Sequence, residues 1–514
     1  SGHKVVAEFP IQHIPLLRPK VERVINSVHT ALTTVSPMAL VLDCQDPEKA
    51  SVLADQYDQF FSAGGGVRVL KRALTATALN GVGFLYASFD AERGWAFDAI
   101  SPADMVVAPA TVPSAASALL IGHRYYISES DYARGVDSGE YYDAGLLTPS
   151  DPHEYTSPRN PNYDRQTLSE GPALGKNGAR VHELAQVFWY ADLSDEQAVK
   201  DCLGDDVPEG FAWFRVVIEA KSQKLLALNV WPHARAPYFD VRLDDEPGKF
   251  WPSSSVGNNL QGLQNQYTQA WNLLTVGAYV SAFPPTFVTG LNPNTKLSIA
   301  KIGDVHKAEG ALTVQTIPVQ FDGSVFPTLI QHLEEVAEVT AGVPAPATGG
   351  TVTPNQTATA TAYLQNMQMQ AESSRGAHAS YALEELWGYM HEVCQSHCET
   401  VQAVYGPKLQ PGFMDALQVE SPRFEMVGKV ASRTPQYQSE QFKGLLELAA
   451  LPQSGLNFRE IVKRYVMSLG INGTDDFFTD HIQGQGLMGL AGMGSGEADS
   501  NGEAPPPEAG PMLG

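Results

Sequence analysis

Apolar positions recur at steps of three and four along some stretches of the chain and alternate along others, so the pattern predicts both helices and strands. Residues 16–35 read as a helix that stops before Pro37, and Gly64-Gly65-Gly66 breaks the chain before a helix over 67–79. A hairpin follows: Phe84 to Phe89 alternates, residues 90–94 turn, and Trp95 to Ile100 returns. Residues 136–178, rich in Gly, Pro, Asn, Asp and Tyr, read as a long surface insertion. Strands are predicted at 187–190, 211–219 and 224–230, where Trp213-Phe214-Arg215-Val216-Val217-Ile218 has the strongest β character.

From residue 256 the pattern becomes helical. Leu260, Leu263, Tyr267, Ala270, Leu274 and Gly277 fall at helical spacing, and Pro284-Pro285 ends the run. Residues 286–323 read as short strands and turns. A second helix is predicted over 325–341, with Pro327 in its first turn, Gly342 as its C-cap and Pro344 beyond. A Gly/Pro/Thr-rich loop spans 343–355, and a long helix is predicted over 356–405. A strand pair near 417–431, helices near 434–450 and 456–469, and a low-complexity acidic tail over 484–514 complete the reading. Together these elements predict an α+β protein of two to four structural units.

Charge narrows the functional classes. With 34 Lys and Arg against 57 Asp and Glu, the net charge is −23. Tight grip on nucleic acid works through Lys and Arg displacing counterions from phosphate, so a chain this acidic is not expected to hold DNA firmly. No uncharged apolar run reaches the roughly 18 residues that a membrane helix needs. The first eight residues carry Lys4 but no apolar signal core. The four cysteines, Cys44, Cys202, Cys394 and Cys398, are too few for a disulfide framework at this length, and a reducing compartment is expected.

Two stretches carry no charge. Residues 256–285 contain no Asp, Glu, Lys, Arg or His, yet hold Asn258, Asn259, Gln261, Gln264, Asn265, Gln266, Gln269 and Asn272. A surface helix ordinarily carries Glu and Lys. A helix wedged between copies of itself in a ring would have this composition, and so would an internal helix of a large domain. Residues 340–371 are also uncharged, and there Thr351, Thr353, Asn355 and Gln356 offer weak contacts to a polyanion. Between the two stretches, Gln331, Glu334, Glu335 and Glu338 share one helical face, opposite Leu329, Leu333, Val336 and Thr340. Such a row would repel phosphate if it lined a pore, or it is simply a solvated face.

The chemistry of catalysis is sparse. Residues 171–177 have glycines too closely spaced for a phosphate-binding loop, and Asn177 stands where Ser or Thr is required. There is no Gly-x-Ser-x-Gly elbow. His391, Cys394 and Cys398 share a helical face near His397, but one helix does not readily supply four tetrahedral zinc ligands. No enzymatic activity, metal or cofactor is expected.

Three blocks, in this order, resemble tailed-bacteriophage portal proteins, the head–tail connectors, and especially those of short-tailed phages. The first is Asn80-Gly81-Val82-Gly83-Phe84-Leu85-Tyr86 with Asp90, Gly94, Ile100-Ser101-Pro102-Ala103-Asp104-Met105 and Pro109. The second is Pro237-Tyr238-Phe239, then Phe250-Trp251-Pro252-Ser253-Ser254-Ser255 and the helix bearing Leu260 and Leu263. The third is Val339-Thr340-Ala341-Gly342-Val343, a loop, and Thr357-Ala358-Thr359-Ala360. Ala108, Pro252 and Ala360 depart from the family's usual residues.

The resemblance covers about residues 60–450. It implies a wing over 1–255, a first stem helix over 256–284, a clip over 285–324 and a second stem helix over 325–342. A tunnel loop over 343–355, the long helix and rest of the wing over 356–432, a crown over 433–483 and the acidic tail would follow. It further implies a twelvefold homo-oligomeric ring at a capsid vertex of the virion, assembled in the host cytoplasm. Double-stranded DNA would pass through without sequence specificity, and terminase, scaffolding and major capsid proteins and a tail adaptor would be partners, with no membrane. In that frame Thr351, Thr353, Asn355 and Gln356 form the tunnel loop, and Glu334, Glu335 and Glu338 face the channel. Leu260, Leu263, Tyr267 and Leu274 pack the stem, and Lys296, Lys301 and Lys307 serve docking at the clip. Another ring-forming virion component, a head–tail adaptor or tail-tube protein, is the alternative.

Overall fold

The computed structural model describes residues 14–145 and 181–426, apart from positions 35, 43, 45, 195, 204–206, 247–248, 283–285, 290–312, 317–322, 343–357 and 421. The chain divides into two units, Ser1–Ala431 and Ser432–Gly514. Everything below concerns the first. The predicted helices near 434–450 and 456–469 and the acidic tail lie outside the described residues.

In chain order the elements are α1 (Leu17–Thr33), β1 (Ala39–Leu42), α2 (Pro47–Ala63), α3 (Gly66–Asn80), β2 (Val82–Asp90), β3 (Gly94–Ile100), β4 (Met105–Ala108), β5 (Leu120–Ser128) and α4 (Glu129–Asp137). Then come β6 (Val181–Asp192), α5 (Gln197–Leu203), β7 (Phe211–Glu219), β8 (Leu225–Trp231), β9 (Tyr238–Arg242), α6 (Val256–Ala282), β10 (Thr286–Thr289) and β11 (Thr313–Thr316). The last are α7 (Val325–Ala341), α8 (Ala358–Ser396), α9 (Cys398–Tyr405), α10 (Phe413–Ala416) and β12 (Arg423–Met426). Helices and antiparallel sheets are thus mixed, an α+β arrangement.

A three-stranded sheet in the order β3-β2-β9 is the middle layer. Alternation along its strands sends side chains to opposite faces. Leu85, Ala87, Phe239 and Val241 join the large helical core on one face, while Val82, Phe84 and Tyr238 join a second core on the other. That second core is closed by the five-stranded meander β4-β5-β6-β7-β8 through Met105, Ile121, Phe188 and Trp213. Being covered on both faces buries Val82 to Leu85 without a break, although the sequence pattern over 84–89 alternates. The far face of the meander is covered near Phe214 and Leu228 by α5.

The second half of α8 is buried almost all round, with Ala379, Leu383, Leu386, Trp387 and Met390 fully enclosed, as expected of a helix that runs through a core. α1 packs against it, and α3 and α6 pack on α1 in the same core. His29 Nε2 lies 3.0 Å from the Val67 carbonyl, and Gln264 on α6 bonds the start of α1 while Leu79 at the end of α3 meets Gly257. α1 and α3 therefore lie side by side in opposite directions, and both abut α6.

Several expectations change. The long helix predicted over 356–405 is interrupted at His397, between α8 and α9. The strand pair expected near 417–431 is a single described strand, β12, which pairs with β1 from the other end of the unit through Ala39–Met426 and Leu42–Arg423. Local pattern holds no record of so distant a partner. The stretch expected to be an insertion from 136 opens on the last turn of α4, and Tyr141 within it packs with Tyr132, Leu184 and Leu226; residues 146–178 of it lie outside the described residues.

Candidate interaction face of the helix pair

The uncharged segment folds as one helix of 27 residues, α6. Ser255 starts it: its hydroxyl accepts from the Asn258 amide at 3.0 Å and donates to the Leu79 carbonyl at 2.8 Å, which caps the helix and ties it to α3. The hairpin β10–β11, in register from Thr286–Thr316 to Thr289–Thr313, then returns the chain to α7. α7 closes at Gly342, whose φ of +67° suits glycine, and Arg375 of α8 donates to the Ala341 carbonyl at 2.8 Å.

Of the stripe expected to pack, Leu260 and Tyr267 are buried, and Leu263 and Leu274 are partly buried against the main core. The described side chains of α6 beyond Ala270 are half-buried or exposed. On α7 the buried positions are Ile330, Leu333, Ala337 and Ala341. The apolar face assigned to Leu329, Leu333, Val336 and Thr340 is therefore rotated: only Leu333 is fully enclosed, and Leu329 faces outward.

The acidic row on α7 is largely engaged within the chain. Glu334 accepts a hydrogen bond from the Tyr267 hydroxyl at 2.7 Å, and Glu338 pairs with Lys20 of α1, both side chains largely enclosed. Only Glu335 of the three is exposed. These two carboxylates hold α6 and α1 onto α7. Burial, reinforced by Glu334, raises the Tyr267 hydroxyl above its ordinary pKa, so it remains the donor in this bond.

Sequence reasoning missed the role of Gln264. It is 7% exposed. Its Oε1 accepts from the Leu16 and Leu17 amides at 2.8 and 2.9 Å, and its Nε2 donates to the Ile14 carbonyl at 2.7 Å and Thr268 Oγ1 at 2.9 Å. α1 has no side-chain cap of its own, so α6 supplies one across nearly 250 residues. The one available signal was a glutamine on the buried stripe of an otherwise apolar helical face.

The outward side of the pair carries the interaction chemistry. Asn258, Asn259, Gln261, Asn265, Gln266 and Gln269 are exposed, and none is charged. Farther along, Leu273 is 59% and Tyr279 52% exposed, and on α7 Val325 is 63% and Val339 77% exposed. Exposed apolar side chains on a helix without charges suit burial against protein, since little desolvation of charge opposes it.

Thr351, Thr353, Asn355 and Gln356, and also Lys296, Lys301 and Lys307, lie outside the described residues. The three lysines fall in the segment joining β10 to β11. Of the helical face read for metal chemistry, His391 is occupied by the Tyr57 hydroxyl at 2.8 Å and the Val419 carbonyl at 2.9 Å, and Cys394 is fully buried. Among the described residues no group of three or more His, Cys, Asp or Glu is placed to hold a metal, and no helix is long and apolar enough to cross a membrane. No protein-family model and no curated protein matches the chain.

Proposed function

We propose that the chain is the subunit of a portal ring, the head–tail connector of a tailed bacteriophage. The observation that carries this reading is the succession of a long charge-free helix with an exposed apolar end, a small β hairpin, a second helix returning alongside the first, and a 39-residue helix re-entering the core. Such a pair suits repetition around an axis. The uncharged outward side of α6 meets the next copy, where like charges would repel. The loop after α7 then projects into the bore, where Thr351, Thr353, Asn355 and Gln356 touch moving DNA without gripping it. Glu335, which accepts a hydrogen bond from Gln331, is the exposed acid of α7 and faces phosphate. The segment carrying Lys296, Lys301 and Lys307 is the docking surface for a packaging motor or tail adaptor. The ring works as a conduit and platform, not as an enzyme.

Substitution of Leu263 by Glu tests this reading. A carboxylate placed among Leu260, Tyr267 and the neighbouring copy is desolvated without a partner, at a cost of several kcal/mol. The variant should sediment as a subunit while the wild type sediments as a ring. A full ring from the variant overturns the packing.

A further inference from the structure

About one residue in nine of this chain is acidic, yet the 15 residues of α3 and the 27 of α6 contain no Asp or Glu. The two helices meet where Leu79 touches Gly257 and Ser255 bonds the Leu79 carbonyl. α3 turns Val69, Leu70, Ala73, Leu74, Thr77 and Ala78 inward. Its outward stripe is Arg68, Lys71, Arg72, Thr75 and Leu79, at helical spacing and exposed. None of the three cations has an ion-pair partner among the described residues. Most other arginines with described side chains are engaged: Arg124, Arg134, Arg215, Arg235 and Arg242 all pair with carboxylates. Three unpaired cations lie on one helical face, next to an apolar Leu79 that is 43% exposed, in a protein of net charge −23.

We propose that this stripe of α3 docks on an acidic surface of the neighbouring copy of the chain, extending the uncharged face of α6 into a charged rim. The inference rests on the ring reading above and adds the surface that sets the register between copies. Charge complementarity selects the occupant. Every copy presents a large acidic excess, and identical acidic subunits repel unless cations are placed where they meet. Rim charges of this kind govern the encounter and its salt dependence more than the final affinity. Phosphate would also satisfy three cations, but the exposed Leu79 and the continuity with α6 favour protein.

The test is the set Arg68→Glu, Lys71→Glu and Arg72→Glu in one full-length chain, beside the neutral set Arg68→Gln, Lys71→Gln and Arg72→Gln. All three side chains are exposed, so circular dichroism and thermal melting should match wild type. The reversal should raise the protein concentration at half assembly by about tenfold or more, and the neutral set by less. Added salt should weaken the wild-type ring and narrow its difference from the reversal variant. If the wild type forms rings and the reversal variant assembles at the same concentration, the inference fails while the ring reading stands. If the wild type is a subunit at every salt and concentration, both fail. If the reversal spares assembly and instead abolishes retention of a short DNA duplex in a gel-shift assay, the occupant is nucleic acid and the inference is overturned.

Discussion

Replacing Gln264 by Leu keeps the volume of the side chain and removes its hydrogen bonds. In the native chain the Leu16 amide, the Leu17 amide and the Ile14 carbonyl all rely on this one amide group. The Leu16 bond is buried and the other two are partly so. Losing an N-cap costs typically about 1 kcal/mol. A buried amide left without an acceptor adds about 1–3 kcal/mol, while the partly buried groups recover water. The sum expected for the first turn of α1 is therefore about 2–4 kcal/mol, or about 30- to 700-fold in the local opening equilibrium. Native-state hydrogen exchange reads this locally at the amides of Val21 and Glu22, which are bonded within the helix rather than to Gln264. The cores of α8 and β6 should be unchanged. Exchange at Val21 and Glu22 within about twofold of wild type would refute the argument that α6 caps α1.

Replacing Lys20 by Met leaves Glu338 enclosed without its cation and should cost about 3 kcal/mol in urea unfolding, whereas the double variant Lys20→Met with Glu338→Leu should recover most of it. Burial lowers His123 and His233 to about 4 and also lowers His391. Each binds a proton more weakly folded than unfolded, so their contribution is intact above the ordinary histidine pKa near 6.5 and is lost as pH falls from there towards 4. The unfolding midpoint should drop over that window, and His123→Gln, which can still meet the Tyr238 hydroxyl, should make the drop shallower. Burial pushes the Cys394 thiol up to about 12, so alkylation at pH 8 followed by mass spectrometry should find exposed Cys202 modified and Cys394 protected.

Much of the helix pair was legible because its signals are local. Spacing and punctuation placed α6 and α7 to within a few residues, and Gly342 marked the end of α7. The hairpin β2–β3 was legible for the same reason. The errors arise where a distant partner decides. β12 pairs with β1 across the length of the unit, and β9 pairs with β2 from Val82–Arg242 to Tyr86–Tyr238, across about 150 residues. Glu334 and Glu338 look solvated on a helical wheel, and only the docking of α1 and Tyr267 makes them structural. Pro47–Ala63 went unread because its buried positions include Gln56 and Asp58, which hide an inward face in polar letters.

The central claim, that this chain builds a ring around a channel, is tested most directly by electron microscopy of the purified full-length protein. The account expects closed rings with a central hole and rotational symmetry, with α6 and α7 of each copy lining the narrow waist. A population of compact single subunits, unchanged as concentration is raised and salt varied, would contradict it.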